Sequence, residues 1–150
     1  MISANEIRIG NLVTVDNEEY HPTIKGQPLV VEEIWQIGNS LLPKSNYGFT
    51  LTNGTDNYSQ AEEFIQPIEI TEEWLIKFGF ECKNKCEFKD LSLSVGGILF
   101  YSDSQDNYSE ICVFTGYDFE ISLFHMKYVH QLQNLYFALT GKELTLTKQK

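Results

Sequence analysis

Residues Tyr128–Thr140, YVHQLQNLYFALT, contain no charged side chain, although the chain has a formal net charge of -10. A surface helix normally buries one apolar stripe and covers its opposite face with Lys, Glu and Arg. The spacing predicts a helix whose inner arc holds Tyr128, Val129, Leu132, Leu135, Tyr136 and Leu139. Its outer arc then holds His130, Gln133, Asn134, Phe137 and Ala138. Because the centres of protein interfaces are depleted in charge and enriched in aromatic residues, this arc predicts contact with protein.

The uncharged outer arc has two destinations that the sequence leaves open. It packs either against the N-terminal domain of the same chain or against another molecule, which would be a protein partner or a second copy. The residues predicted to bind such a partner are His130, Gln133, Asn134 and Phe137.

The second part of the chain, residues 68–150, predicts a helix, an antiparallel sheet and the uncharged helix. The first helix has strong end signals in TEEWLIKFG: Thr71 as N-cap, two glutamates in the first turn and Gly79 at the end. Alternating or apolar runs follow as predicted strands, at Phe80–Cys82, Cys86–Phe88, Leu91–Val95, Ile98–Ser102, Glu110–Phe114 and Tyr117–Phe124. Consecutive strands joined by tight turns form a meander, and both helices can cover one of its faces. The uncharged helix ends at Gly141, and residues 143–150 are predicted as a short strand or a frayed tail.

The first part, residues 1–67, predicts a small β-rich domain that resembles an SH3-like barrel. Ser3 and Glu6 form a capping pattern for a single helical turn. The predicted strands are Leu12–Val15, Leu29–Ile37, Tyr47–Thr52 and Phe64–Ile68, with a hairpin signal at Asn53-Gly54. The predicted fold class is therefore α+β, with a boundary near Pro67.

The charge of the chain disfavours direct binding to nucleic acid, which requires a basic surface. Eleven Lys and Arg oppose 21 Asp and Glu. Residues 1–70 contain 3 basic and 10 acidic side chains, a formal charge of -7. An acidic surface keeps a protein soluble, and it also offers a complementary surface to a basic partner. No run of about 18 apolar residues predicts a membrane span, and no leader pattern is found at the start, so we expect a cytoplasmic protein without a membrane partner.

The residues with catalytic or metal-binding chemistry do not form a recognised pattern. Cys82 and Cys86 lack a second ligand pair at the spacing of a structural zinc site, so we expect neither a metal nor another cofactor. Cys112 could form a nucleophilic site with His125 or His130 and with Asp118 as the orienting group. Because Cys112 lies in an apolar strand pattern, a buried and unreactive thiol is the simpler interpretation.

Three segments together are similar to a known group of proteins. They are EIRIGN at Glu6–Asn11, IEITEEWLIKFGF at Ile68–Phe80 and KYVHQLQNLYFALTGKEL at Lys127–Leu144. In these segments the chain resembles a family of small uncharacterised proteins from Bacteroidota genomes, prophages and phages. The resemblance implies a bacterial cytoplasm and a mobile-element setting, and it implies no catalytic residue.

Three functions are compatible with the sequence. The first is a non-enzymatic protein-interaction module that uses the outer arc of the last helix. The second is a phage-type inhibitor whose acidic surface mimics nucleic acid and occupies a groove on a host defence protein. The third is a small enzyme that uses the His, Asp and Cys residues of the C-terminal domain.

Overall fold

The computed structural model describes residues 2–19, 21–38, 46–82, 90–103, 108, 110–115, 119–123 and 126–147. The chain divides into two compact units, Met1–Ile68 and Glu69–Lys150. The described residues form two antiparallel five-stranded sheets and two α-helices, so the predicted mixture of helix and antiparallel sheet is confirmed.

The first unit is a five-stranded antiparallel sheet with three short 3-10 helices. Its strands are β1 (Leu12–Val15), β2 (Leu29–Gln36), β3 (Tyr47–Thr52), β4 (Asn57–Ala61) and β5 (Ile65–Gln66), in the spatial order β4-β3-β2-β1-β5. The 3-10 helices are Ala4–Glu6, Pro22–Ile24 and Glu62–Phe64. The fifth strand returns beside the first, where Val15 pairs with Ile65. The described residues do not show a closed barrel.

The core of the first unit comes from alternate positions of these strands together with residues of the first two 3-10 helices and their flanks. It contains Ile2, Ala4, Ile7, Val13, Val15, Ile24, Leu29, Val31, Phe49, Leu51 and Ile65. The register of β2 shifts between Val31 and Glu33, so that Ile34 pairs with Phe49 and packs against the core. Such a β-bulge re-aims the side chains that follow it. Trp35 is consequently on the outer face, opposite Gly48.

The second unit begins with helix α1 (Glu72–Lys77) and ends with helix α2 (Val129–Thr140). Between them lie β6 (Glu81–Cys82), β7 (Asp90–Val95), β8 (Ile98–Asp103), β9 (Ile111–Thr115) and β10 (Phe119–Leu123), a meander in the order β10-β9-β8-β7-β6. The predicted strand Cys86–Phe88 lies outside the described residues. Leu93 and Val113 both pair with Phe100, which is fully buried, so these positions share the apolar face of the sheet.

The two ends of α1 follow their local sequence signals. The Thr71 hydroxyl accepts a hydrogen bond from the Trp74 backbone N–H (3.4 Å), as predicted for the N-cap. At the other end, Gly79 has a φ of +90°, and its N–H donates to the Ile76 carbonyl. The Phe80 N–H donates to the Leu75 carbonyl, which completes a Schellman motif.

Candidate functional site

The N-cap of helix α2 is paired with the extended segment that precedes α1. Tyr128 is the N-cap, and its N–H donates to the Gln131 side-chain oxygen (3.1 Å). An isolated β-bridge pairs Glu69 with Tyr128, and the Ile70 N–H donates to the Lys127 carbonyl (2.9 Å). These bonds fix the direction in which α2 leaves the sheet.

The ion pair between Lys127 and Glu69 (3.1 Å) lies at the surface of the same junction. The hydrogen bond to Glu69 raises the pKa of the Lys127 ammonium above its ordinary value, and the charge of that carboxylate adds to the effect. Because both side chains are largely exposed, water and salt screen this pair and it contributes little to stability.

The inner side of α2 packs on its own unit. Val129, Leu132 and Tyr136 are buried, and the rings of Tyr136 and Phe100 lie 5.3 Å apart, centroid to centroid. The predicted inner arc is therefore confirmed at these three positions. It is wrong at Leu139, which is 36% exposed.

Two residues that the sequence placed on the outer arc are in fact inside the protein. His130 is 1% exposed and Gln133 is 2% exposed. The amide nitrogen of Gln133 donates to the carbonyl of Leu144 (3.2 Å), and Leu144 itself is buried. At His130 and Gln133 the prediction that this arc contacts protein is therefore confirmed. The predicted destinations do not include the contact that Gln133 makes, which is with the segment after the helix in the same unit.

The terminal segment 144–147 connects the two helices of the second unit. Beyond Leu144, the backbone N–H and the hydroxyl of Thr147 both donate to the carbonyl of Lys77, at 2.8 and 2.9 Å. The methyl group of Thr147 also lies against Gly79, since a Cβ at that glycine would be 3.0 Å from it. Residues 144–147 are thus neither a strand nor a frayed tail; residues 148–150 lie outside the described part.

The side of α2 that is not fully buried includes Asn134, Leu135, Phe137, Ala138 and Leu139. From here on we name these five residues the outer arc of α2. Compared with the arc predicted from the sequence, it lacks His130 and Gln133 and includes Leu135 and Leu139. Phe137 is 39% exposed at one edge and Leu139 is 36% exposed at the other, with Ala138 between them. Asn134 and Leu135 are half-buried one turn earlier. Two of the four predicted partner-binding residues, Asn134 and Phe137, belong to this arc. Leu135 and Leu139, which the spacing places on the inner arc, also belong to this side of the helix.

A shallow cavity of about 150 Å³ adjoins the outer arc at its C-terminal edge. It is lined by Leu139, Thr140 and Lys142 and, from the turn between β7 and β8, by Val95, Gly96 and Ile98. Gly141 ends the helix here with a φ of +68°, and its N–H donates to the Phe137 carbonyl (2.8 Å). The arc exposes the apolar side chains of Phe137, Ala138 and Leu139, whereas the wall of the cavity mixes polar and apolar atoms and includes Lys142.

Of the four residues of the predicted enzymatic constellation, the structure describes two, His130 and Cys112. His130 is buried and stacks on Tyr128, with ring centroids 5.8 Å apart and planes 13° apart. Cys112 is half-buried in β9, while Asp118 and His125 lie outside the described residues. Among those ranges, no group of three or more His, Cys, Asp or Glu side chains is arranged to hold a metal ion.

No helix within the described ranges is both long and apolar enough to cross a bilayer. Comparison with known proteins adds no relationship: no protein-family model matches the chain, and neither a curated protein nor a solved structure matches it.

Proposed function

We propose that this protein is a non-enzymatic protein-interaction module and that the outer arc of α2 is its contact surface. The observation that carries the proposal is the exposure of Phe137 and Leu139 on a helix without a single charge. Aromatic side chains at the centre of an interface are the residues that most often dominate binding energy. The setting that we propose is the bacterial cytoplasm and a mobile element, as the resemblance of Lys127–Leu144 implies.

The burial of His130 and Gln133 supports a smaller contact surface than the sequence suggests. Both side chains are buried and Gln133 bonds Leu144, so a partner would meet Asn134, Leu135, Phe137, Ala138 and Leu139. The cavity beside Leu139 would accept one side chain of the partner. For the first unit, the strand order and the 3-10 helix between β4 and β5 support an SH3-like arrangement as part of this proposal.

The test is a double variant, Phe137→Ser with Leu139→Ser, compared with Ile9→Ser. Ile9 is 60% exposed in the first unit, so its replacement removes exposed apolar surface elsewhere. Sedimentation velocity over a wide concentration range would measure self-association, and capture from host lysate would measure partner binding. We expect the double variant to lose one of these interactions while Ile9→Ser retains it. An unchanged sedimentation profile together with an unchanged set of captured proteins would refute the proposal.

A second candidate function, inhibition of a host protein that normally binds nucleic acid, is favoured by the exposed carboxylates of the first unit. Glu18, Glu19, Glu32 and Glu33 are all exposed. A complex that depends on these charges should weaken steeply as salt is raised, because exposed charges are screened. Affinity that stays constant between low and high salt would exclude this candidate.

A further inference from the structure

The outer face of the first sheet carries an exposed tryptophan held against a glycine. Trp35 on β2 pairs directly with Gly48 on β3. A Cβ at position 48 would lie 2.6 Å from both the Cζ2 and the Nε1 atom of the indole ring. No atom can occupy that position, so the ring lies across the Cα of Gly48 and only glycine permits this approach.

Trp35 is nevertheless 38% exposed, so much of its ring is open to solvent. The described residues that flank it in the sheet are small or polar. Gly48 pairs with Ala61 on the neighbouring strand, and Glu33, two positions before Trp35 on the same face, pairs with Thr50. These flanking residues leave part of the ring uncovered, and we call the exposed indole ring of Trp35 the aromatic platform.

The carboxylate beside this platform is oriented by the sheet. The Thr50 hydroxyl donates to Glu33 Oε2 (3.0 Å), and Glu32 adds a second exposed negative charge at the bulge. A side chain two positions along a strand projects from the same face, so Glu33 and the indole ring are neighbours. The first part of the chain is also negatively charged, since residues 1–70 have a formal charge of -7.

We propose that Trp35 and Glu33 form a binding site for an arginine side chain of a basic partner protein. The guanidinium group would stack on the open face of the indole ring and donate to the Glu33 carboxylate. Arginine fits better than lysine because its planar group both stacks on an aromatic ring and bonds a carboxylate through several N–H groups. The base of a nucleic acid would also stack on the ring, but the phosphates of its backbone would be repelled by Glu32 and Glu33.

This site lies in the first unit and is separate from the outer arc of α2. It rests on the second candidate function only for the sign of the partner's charge. The experiment therefore measures binding of short basic peptides to variants of Trp35. It can refute the Trp35 site while a general affinity for basic partners is still observed.

The experiment measures binding of a dye-labelled hexa-arginine peptide by fluorescence anisotropy at low salt. Trp35→Leu should weaken binding by about two- to fivefold, the range of an exposed cation–π contact. Glu33→Gln should weaken it to a similar extent. Glu19→Gln, which removes an equal charge in the loop after β1, should have a smaller effect. Hexa-lysine, with the same charge, should bind more weakly than hexa-arginine.

A second measurement locates the contact. Trp35 and Trp74 are the two tryptophans of the chain, so a Trp74→Phe variant reports Trp35 emission alone. Hexa-arginine should change this emission saturably, and a decathymidine oligonucleotide should not. If Trp35→Leu and Trp35→Phe both bind hexa-arginine as tightly as the parent, the Trp35 site is refuted, although charge attraction remains. If neither basic peptide binds, the basic-partner idea fails with it. Saturable quenching by the oligonucleotide would also overturn the proposal, since the platform would then bind nucleobases.

Discussion

The side-chain amide of Gln133 donates to the backbone carbonyl of Leu144 at 3.2 Å, inside the second unit. This bond satisfies a polar group of α2 that faces inward. It also gives the segment after α2 a structural role, because Leu144 is buried at that point. The outer arc of α2 is what remains exposed once this flank is covered.

Replacing Gln133 with Met should destabilise the second unit by about 1–3 kcal/mol, because the buried carbonyl of Leu144 loses its donor. Urea unfolding in a Trp35→Phe background, followed by Trp74 emission, measures this unit directly. Lys142→Met, at the exposed end of the helix, serves as the control and should be close to neutral. Equal stabilities of the two variants would show that the Gln133 bond is unimportant.

Truncation along α2 should separate its inner side from its outer arc. Leu132 is 1% exposed, so Leu132→Ala should cost about 2–5 kcal/mol through lost burial and a residual cavity. Leu139→Ala removes the same atoms from a position that is 36% exposed, and it should cost less than half as much. Thermal unfolding of the Leu132→Ala and Leu139→Ala variants checks the orientation of the helix. A larger loss of stability for Leu139→Ala than for Leu132→Ala would contradict it.

The contact of Trp35 with Gly48 predicts a strong energetic coupling between the two positions. Gly48→Ala alone should destabilise the first unit by about 1–3 kcal/mol, because the added methyl group displaces the indole ring. In a Trp35→Ala background, the same change should be neutral or stabilising, since alanine is less costly than glycine in a strand. Unfolding energies of the four proteins in this double-mutant cycle measure the coupling. Additive effects would mean that the ring does not lie on Gly48.

Gly79→Ala should destabilise the second unit by about 1–3 kcal/mol. The φ of +90° at this residue is unfavourable for any side chain, and the new Cβ would lie 3.0 Å from the methyl group of Thr147. Combining it with Thr147→Ser removes the close contact but retains the hydroxyl. The double variant should recover only part of the loss, and full recovery would show that the backbone angle costs nothing.

The loop after β1 should show a pH dependence that follows Lys25. Its ammonium group forms ion pairs with Glu18 and with Asp16 (3.3 Å to Asp16), and the bond to Glu18 is the main cause of a pKa above the ordinary value of a lysine. A raised pKa means that the pairs contribute stability at pH values below the ordinary lysine pKa, and this contribution is lost as the pH rises through the higher value. Titration of the Lys25 side chain by NMR should show the shift. Glu18→Gln should reduce it, while Glu19→Gln should leave most of it.

Elements whose determinants are close together in the sequence could be predicted. Helix α1 is specified by Thr71, Gly79 and the residues between them, and the β3–β4 hairpin by the Asn53-Gly54 turn. The strands Leu12–Val15 and Tyr47–Thr52 were predicted with the bounds that the structure shows, because their alternation matches a sheet with one buried face. Whether a sheet closes into a barrel is not a local property, and the described residues do not show the closed barrel that the sequence predicts.

The orientation of α2 could not be predicted because it depends on a residue outside the helix. Glutamine at position 133 is ordinarily a surface residue, and its acceptor at Leu144, outside the helix, helps to make burial favourable. The Trp35 platform is similarly non-local, since it requires the bulge after Val31 and a glycine on the adjacent strand. An exposed tryptophan opposite a glycine can be recognised only when the strand register is known.

The hydrogen bonds from Thr147 to the end of α1 have a consequence for biosynthesis. The carbonyl of Lys77 obtains its two donors from a residue 70 positions later in the chain. A ribosome therefore releases the whole meander and α2 before this acceptor is satisfied, and long-range contacts of this kind form slowly. Until then, α1 lacks the two donors that its last carbonyl has in the folded unit.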